Sequence, residues 1–353
     1  MTCFVTGVAG FIGYFLAKRL LNEGNEVVSL DSLTDYYSIA LKEERLKLLS
    51  KNRNFTFLKG KLEDTQLLEH IFSNYKVEVV VNLAAQAGVR YSIENPAAYV
   101  DSNVVGFLNV LQACRKYGVK HLLFASSSSV YGLSSNTPYK EDSPCDCPIS
   151  LYAATKKADE LMAYSYSHLY NIPSTGLRFF TVYGPFGRPD MVYFKFAQKI
   201  MNDEKISVFN NGKLYRDFTY IDDVVEAIMR LIPLPPCKTA DVNVSDATVQ
   251  KKESSDDDHF GCNENVASNP YFDIFNIGNE HPVLLTDFIE ILEKKLKHKA
   301  VKKLLPMQKG DVYITSASCE KLYNKIGWKP FTPLEEGLEK FATWFLKYSG
   351  ASG

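Results

Sequence analysis

The chain has no surplus of basic residues and no long apolar run. Its 353 residues carry 40 Lys and Arg against 41 Asp and Glu, a formal net charge of −1. That balance argues against a protein that binds nucleic acid or an anionic membrane. The longest apolar run, residues 79–85, is interrupted by Asn82 and is too short to span a bilayer. We therefore expect neither a nucleic-acid partner nor a membrane partner.

A leader segment and a metal-binding pattern are also not evident. Residues 3–7 already have the composition of a buried strand, so we expect no secretory leader and a cytoplasmic protein. Seven cysteines, an odd number scattered along the chain, are typical of free thiols in a reducing compartment. Cys145 and Cys147 lack a second Cys or His pair at a suitable distance, which favours loop residues over a zinc site.

Short apolar runs alternate with amphipathic stretches over residues 1–185. The strand candidates are 3–7, 26–31, 55–59, 78–84, 120–126 and 174–180, and the helix candidates include 11–23, 98–117 and 152–170. This alternation predicts an α/β fold built on a doubly wound parallel sheet. A loop rich in Gly, Pro, Asn and Ser is predicted over 132–151.

The alternation weakens after Pro185, which predicts a second, smaller lobe. We assign 1–185 to the large domain, with a return segment near 222–235 that contains a helix at 224–232. The smaller C-terminal lobe is expected to combine 186–221 and 270–345. Residues 237–269 have few apolar side chains and are predicted to be a flexible surface insertion; the alternative is a regulatory or partner-binding segment.

A glycine-rich turn lies between the first strand and the first helix. Gly7, Gly10 and Gly13 flank Phe11 and Ile12, with the spacing G-x-x-G-x-x-G. Such a turn brings backbone N–H groups and the positive end of a helix against a pyrophosphate. Its place between a strand and a helix predicts a Rossmann domain in which these five residues bind a dinucleotide.

An acidic residue ends the second predicted strand. Asp31 lies about twenty residues beyond the glycines, where a carboxylate can accept hydrogen bonds from the adenosine ribose and repel a 2′-phosphate. This position favours NAD over NADP as the cofactor. The alternative is an Asp that stabilises the turn containing Ser32, Thr34 and Asp35.

A serine, a tyrosine and a lysine are spaced for alcohol oxidation. Ser127 follows the fifth predicted strand, and Tyr152 and Lys156 lie one helical turn apart on the same face. Tyr152 can act as a general base towards a hydroxyl group, Ser127 can position that hydroxyl, and Lys156 can hold the nicotinamide ribose. Tyr14 and Lys18 have the same spacing, but they follow the glycine turn and are predicted to lie near the pyrophosphate.

These motifs resemble the extended short-chain dehydrogenase/reductases over nearly the whole chain. The resemblance rests on residues 7–13, 83–90 and 126–132 and on the Tyr152–Lys156 pair. Two longer runs, 178–191 and 216–223, resemble the UDP-glucuronate 4-epimerases in particular. The resemblance implies NAD as cofactor, a UDP-sugar as substrate and a homodimer formed through helices near 98–117 and 152–170.

The resemblance also implies further site residues. The implied cofactor contacts are Leu62, Leu83, Ala84, Ala85 and Asn103. The implied nucleotide-sugar contacts are Gln86, Arg188, Val208, Arg216 and Asp311, with Arg216 on the diphosphate, Val208 on the uracil and Asp311 on the uridine ribose. In addition, Ser128, Ser129, Thr181 and Arg90 can donate hydrogen bonds to a sugar carboxylate as it turns over, because hydroxyl donors accommodate two poses.

Three positions depart from the patterns of relatives. Lys61 replaces an Asp that contacts adenine in many of them, and Gln308 matches an Arg of UDP-galactose epimerases. Dehydratases and decarboxylases carry an acid at the position of Ser129, and without it a C5 proton is hard to remove.

We therefore expect NAD-dependent C4 epimerisation of a UDP-hexuronic acid, from UDP-glucuronate to UDP-galacturonate, through a 4-keto intermediate. Three alternatives are an epimerase of UDP-glucose or UDP-N-acetylglucosamine, a decarboxylase or dehydratase, and a non-catalytic NAD-binding protein.

Overall fold

The computed structural model describes residues 1–238, 269–307 and 312–350. In chain order the strands are β1 (Thr2–Thr6), β2 (Glu26–Asp31), β3 (Phe55–Lys59), β4 (Val79–Asn82), β5 (His121–Ser127), β6 (Ser174–Phe179), β7 (Thr181–Tyr183), β8 (Lys205–Val208), β9 (Tyr215–Tyr220), β10 (Phe272–Ile277), β11 (Pro282–Leu284) and β12 (Val301–Leu304). The helices are α1 (Phe11–Asn22), α2 (Ile39–Leu49), α3 (Thr65–Asn74), α4 (Tyr91–Glu94), α5 (Pro96–Tyr99), α6 (Gly106–Tyr117), α7 (Leu151–Tyr170), α8 (Val192–Met201), α9 (Ile221–Leu231), α10 (Leu285–Leu296), α11 (Glu320–Ile326) and α12 (Leu334–Tyr348).

Seven strands form one parallel sheet with the order β10-β6-β5-β4-β1-β2-β3. Helices cover both faces, so central strands such as β4, whose sequence is Val-Val-Val-Asn, are buried on both sides. All six predicted strands are present within two residues of their predicted ends, and the doubly wound α/β fold is confirmed. The strand order reverses between β1 and β4, where ligands bind in such sheets, at the carboxyl edge.

The helices that flank this edge also agree closely with the helices predicted from the sequence. A π-helical segment, Val100–Val105, joins α5 to α6, so the predicted helix 98–117 is one continuous helical run. Helix α7 begins after Ser150, whose side chain accepts a hydrogen bond from the Ala153 backbone N–H at 3.1 Å. The predicted loop before α7 and the helix near 224–232 are both present.

Two smaller sheets lie beyond β6. One is three-stranded with the order β11-β9-β7, and the other pairs β12 with β8. Strand β10 falls inside the range 270–345 that the sequence assigned to the smaller lobe, but it is the edge strand of the large sheet. It pairs in parallel with β6 from Phe272 to Ile277, because the outer edge of β6 presents backbone N–H and C=O groups that need partners. The rest of the division into lobes stays a prediction, and most of the predicted insertion, 239–268, lies outside the described residues.

Candidate active site

The glycine turn is held by contacts that leave no room for side chains. A Cβ atom on Gly13 would lie 2.3 Å from the Gly7 carbonyl oxygen, and one on Gly7 would lie 2.8 Å from the Ala84 backbone nitrogen. Gly7 also has a φ of +69°. Gly10 precedes α1 without any side-chain cap, so the N–H groups of the first turn of α1 are not satisfied by a capping side chain. Phe11 and Ile12 are the first two residues of α1, and the whole turn fits a pyrophosphate.

Asp31 lies beside this turn and is almost fully buried. Its Oδ2 atom accepts a hydrogen bond from the Ala9 backbone N–H at 3.0 Å, and Oδ1 accepts one from Leu33 N–H at 2.9 Å. The alternative of a turn-stabilising Asp is therefore realised in the structure. Each carboxylate oxygen keeps a second lone pair, so the predicted ribose contact is chemically compatible with these bonds and stays a prediction.

The backbone of the loop after β4 is held by a residue that the sequence analysis did not single out. The Thr6 hydroxyl accepts hydrogen bonds from the Leu83 and Ala84 backbone N–H groups at 3.1 and 3.0 Å. Thr6 in turn donates to Asn82 Oδ1 at 2.7 Å. A polar residue at the carboxyl end of the apolar strand β1 was the available signal. Leu83 and Ala84 thus lie beside the glycine turn, and the cofactor contacts implied for them and for Ala85 stay predictions.

Asn103 connects the loop after β4 to helix α7 through hydrogen bonds. Its Oδ1 accepts from the Gln86 backbone N–H at 2.7 Å, and its Nδ2 donates to the Gln86 carbonyl and to Thr155 Oγ1, both at 3.0 Å. Asn103 therefore supports the loop after β4 through protein groups, and the cofactor contact implied for it stays a prediction. Leu62 is buried beneath the same π-helical run, against Gly106.

The predicted serines lie where β5 ends. Ser127 is the last residue of β5, and Ser128 and Ser129 begin a short 3₁₀ turn. Ser127 Oγ donates to Ser129 Oγ at 3.0 Å and accepts a hydrogen bond from the Ser129 backbone N–H at 3.2 Å. Ser128 and Ser129 are half-buried at the edge of the sheet.

Helix α7 places Tyr152 and Lys156 beside the end of β5. The Lys156 Nζ atom donates at 3.0 Å to the carbonyl of Ala125, two residues before Ser127. The ring of Tyr152 packs edge-on against Tyr99, with 6.1 Å between centroids. Tyr99 also donates to the Ala87 carbonyl at 3.0 Å, which ties Tyr152 to the loop after β4. The structure thus brings the three predicted catalytic residues to one edge of the sheet.

Two buried carboxylates on α7 were not anticipated from the sequence. Asp159 Oδ2 accepts a hydrogen bond from Lys156 Nζ at 3.0 Å. Burial raises the pKa of Asp159 to about 6, against the opposing effect of the Lys156 ammonium group. Burial acts to raise the pKa of Glu160 as well, but the bidentate Arg178 guanidinium and the Ser126 hydroxyl lower it below its ordinary value.

The predicted contacts to the nucleotide-sugar lie on several elements. Thr181 begins β7, directly after the carboxyl end of β6. Arg90 follows the loop after β4 and is exposed, with its guanidinium 5.7 Å from the Phe209 ring centroid. Phe209 follows Val208, the last residue of β8, so these two predicted contacts are neighbours. The Val208 side chain is buried in the core, and its carbonyl accepts from Leu305 N–H at 3.0 Å.

Arg188 and Arg216, two of the three predicted arginines, donate hydrogen bonds to protein groups. Arg216 on β9 is half-buried and donates to the Tyr215 carbonyl at 2.8 Å. The guanidinium of Arg188 forms a two-bond ion pair with Asp190 at 3.0 and 2.5 Å, and Tyr36 donates to the same carboxylate. The contacts that the resemblance implied for these side chains stay predictions, and Asp311 and Gln308 lie outside the described residues.

No group of three or more His, Cys, Asp or Glu side chains in the described part of the chain is arranged to hold a metal ion. Cys145 is buried and its thiol donates to the Ser143 carbonyl, whereas Cys147 is exposed. Across residues 1–238, 269–307 and 312–350, no helix combines the length and the apolar character that crossing a membrane requires.

Comparison with known proteins agrees with this geometry. The model of the NAD dependent epimerase/dehydratase family matches residues 3–244. Protein CapI of Staphylococcus aureus is 50% identical over 348 residues, with 99% of each chain covered. The probable UDP-glucuronate 4-epimerase of Rhizobium meliloti (strain 1021) is 44% identical over 345 residues, covering 98% of this chain and 97% of its own. The crystal structure of UDP-glucuronic acid 4-epimerase from Bacillus cereus, in complex with UDP-glucuronic acid and NAD, has a TM-score of 0.83 at 29% identity, covering 99% of this chain and 100% of that one.

The fold, the glycine turn and the edge that carries Ser127, Tyr152 and Lys156 therefore agree with a match that spans more than half of the sequence. This chain belongs to the NAD-dependent epimerase/dehydratase family, among the extended short-chain dehydrogenase/reductases.

Proposed function

We propose that this protein is an NAD-dependent UDP-glucuronate 4-epimerase, which converts UDP-glucuronate to UDP-galacturonate by inverting C4 of the sugar. The observation that carries the proposal is the hydrogen bond from Lys156 Nζ to a backbone carbonyl of β5 at 3.0 Å. This bond places Tyr152, one helical turn earlier on α7, beside the strand that ends at Ser127. The similarity to proteins that are named UDP-glucuronate 4-epimerases supports this substrate.

In the proposed reaction, Tyr152 removes the proton of the C4 hydroxyl as a general base and returns a proton to the same oxygen later. Ser127 donates a hydrogen bond to that oxygen and holds it in line with the phenol. Lys156 orients the nicotinamide ribose and favours the ionised phenol through its positive charge. Bound NAD supplies the reversible two-electron oxidation of C4. Because the same carbon is oxidised and then reduced, the reaction has no net redox change.

Inversion requires that the 4-keto sugar turn over while the UDP group stays bound. We assign the UDP group to Arg216, Val208 and Asp311. The sugar carboxylate is assigned to hydroxyl donors at the sheet edge, Ser128, Ser129 and Thr181, with Arg90 nearby. Ser129 is bonded to Ser127 Oγ, and as a hydroxyl it cannot act as the base for a C5 proton. This chemistry favours epimerisation over elimination or decarboxylation.

Incubation of the purified protein with UDP-glucuronate, followed by NMR of the sugar, tests the proposal. We expect an equilibrium mixture of UDP-glucuronate and UDP-galacturonate without added reductant. Unchanged UDP-glucuronate beside turnover of UDP-glucose or UDP-N-acetylglucosamine would refute the substrate assignment, and release of carbon dioxide would identify a decarboxylase.

A Tyr152→Phe variant tests the role of the phenol. We expect at least a hundredfold lower kcat, because general base catalysis contributes about 10²–10⁴ in rate, with the bound NAD retained. Tyr14→Phe is the matched control, since Tyr14 and Lys18 have the same spacing but lie on α1. The assignment fails if both variants keep the wild-type rate.

We also propose a homodimer in which α6 and α7 of each subunit pack together. The face formed by these helices exposes several large apolar side chains, and an exposed apolar patch of this kind is typical of an interface. The exposed residues on this run of helices are Val100, Val105, Leu108, Leu161, Leu169 and Tyr170.

We propose that the protein acts in the cytoplasm. Six cysteines in the described ranges are free thiols, and four of them are buried, which suits a reducing compartment. Finally, we propose that the smaller sheets form the nucleotide-sugar lobe. These sheets carry Thr181, Val208 and Arg216, three of the residues that we assign to the substrate.

A further inference from the structure

Asp159 is a buried carboxylate that the proposed mechanism does not use. It lies one turn beyond Lys156 on α7, and both side chains are almost fully buried, with exposed fractions of 2% and 3%. Its Oδ2 atom accepts from Lys156 Nζ at 3.0 Å. Its Oδ1 atom accepts no hydrogen bond from any residue that the structure describes. Half of the carboxylate therefore has no partner within the protein as described.

The neighbouring Glu160, on the same helix, is a buried carboxylate whose two oxygens both have hydrogen-bond donors. Both of its oxygens accept hydrogen bonds from Arg178, at 2.8 and 2.9 Å, and Ser126 adds a third bond at 2.6 Å. A buried charge is costly unless it is paired and fully bonded. Asp159 meets only part of that requirement, and its one cationic partner among the described residues is Lys156, a residue of the catalytic site.

The charges that act on Asp159 come from its own helix. Lys156 favours its ionised form and Glu160 opposes it. Elements packed against α7 supply groups that already have partners: Arg178 on β6 is bonded to Glu160 and Tyr131, and Tyr99 on α5 is bonded to the loop after β4. The Lys156–Asp159 pair is thus a buried ion pair on the helix that carries Tyr152, four and seven residues beyond it.

We propose that Asp159 is a positioning residue that acts through Lys156: it fixes the ammonium group between β5 and α7 and offsets its positive charge beside Tyr152. This role of Asp159 in catalysis rests on the proposed function. With Asp159 ionised, the pair carries no net charge, and the phenolate of Tyr152 is less favoured than it would be beside an unopposed Lys156.

The pKa of Asp159, which burial raises to about 6, adds a consequence. As the pH falls below about 6, the carboxylate gains a proton and the charge of Lys156 is no longer offset. The charge next to Tyr152 is then the same as in Asp159→Asn, in which residue 159 is neutral at every pH. We therefore expect any difference between the wild type and Asp159→Asn to disappear as the pH falls well below 6.

The titration of Tyr152 tests the proposal directly. Protein labelled with ¹³C at tyrosine Cζ and saturated with NAD is titrated by NMR, and the Tyr152 signal is the one missing from Tyr152→Phe. Seven residues separate Tyr152 and Asp159, about 10 Å along a helix, and a unit charge at that distance corresponds to about one pH unit at an effective dielectric constant of about 20. We expect the titration midpoint to fall by about one unit in Asp159→Asn.

Control variants separate charge from structure. Asp159→Glu keeps the charge and should keep the midpoint near that of the wild type. Asp203→Asn removes an exposed carboxylate, with a side chain 78% exposed, and should change nothing. If Asp159→Asn does not fold, Asp159→Ser provides a second neutral side chain. An unchanged midpoint in the neutral variant would overturn the proposal.

The NMR titration requires no turnover, so it decides this inference even if UDP-glucuronate is not the substrate. A wild-type protein that does not turn over UDP-glucuronate would count against the proposed function alone. If turnover is observed, kcat should differ between the wild type and Asp159→Asn above about pH 6 and converge below it.

Discussion

Gly13 shows how strictly a single residue is constrained by its neighbours. A Cβ atom there would lie 2.3 Å from the Gly7 carbonyl oxygen and 2.9 Å from the Val8 Cα atom. Both are backbone atoms, which cannot move without opening the turn. The glycine therefore determines how closely α1 packs against the end of β1.

We expect Gly13→Ala to lose bound NAD and to lower the free energy of unfolding by several kcal/mol, since overpacking alone costs about 1–3 kcal/mol. Gly118→Ala is the matched control, because Gly118 has open space around it and only its φ of +65° is unfavourable. That change should cost about 1 kcal/mol and leave NAD binding intact. Urea unfolding and the nucleotide content of the purified protein measure both effects; equal losses in the two variants would contradict this account.

Sequence spacing was sufficient for Tyr152, Lys156 and Ser127, because one helical turn and one strand end define where they lie. It was insufficient for Asp159 and Thr6. The pairing of Asp159 with Lys156 depends on which face of α7 is buried and on side-chain rotamers. The role of Thr6 depends on the separation between β1 and β4, which are far apart in sequence.

At the scale of elements, α7 has a buried face and an exposed face that includes two leucines. The buried face carries Lys156 and Asp159, whereas Leu161 and Leu169, two turns apart, are 57% and 64% exposed. A helix that served only to cover the sheet would present polar side chains to water on that second face. The exposed leucines are the physical basis for the proposed packing of α6 and α7 between subunits.

We expect Leu161→Glu to convert the dimer to a monomer, because it buries a charge in an apolar interface. Sedimentation velocity distinguishes the two states. Phe331→Glu is the control, since Phe331 is 69% exposed and lies outside these helices. A wild-type protein that sediments as a monomer would refute the proposed dimer.

The assignment of β10 to the smaller lobe was wrong for a reason that also belongs to the element scale. Sequence order places β10 after the small sheets, and its apolar residues fit any buried strand. Only the open edge of β6 in the folded protein determines where it pairs.

For the whole molecule, His121 links stability to pH. Its Nδ1 lies 3.0 Å from the Ile232 carbonyl oxygen, and its Nε2 lies 2.8 Å from Thr175 Oγ1. Burial lowers the pKa of His121 from 6.5 to about 4. Between these values the unfolded chain binds a proton that the folded protein does not, so the free energy of unfolding falls as the pH falls. Asp159, with its raised pKa, acts in the opposite direction.

We expect the difference in unfolding free energy between wild type and His121→Gln to shrink by roughly 3 kcal/mol from pH 7 to pH 4, at about 1.4 kcal/mol per pH unit. Urea unfolding at several pH values measures it, and taking the difference removes the contributions of other groups. A difference independent of pH would show that His121 is not buried as a neutral side chain.

The central claim is that C4 is oxidised and reduced within one active site, with no exchange with solvent. The most direct measurement uses UDP-glucuronate that carries deuterium at C4. We predict that the label stays at C4 in the UDP-galacturonate that forms, with none lost to water. Loss of the C4 label, or its appearance at another carbon, would contradict the account.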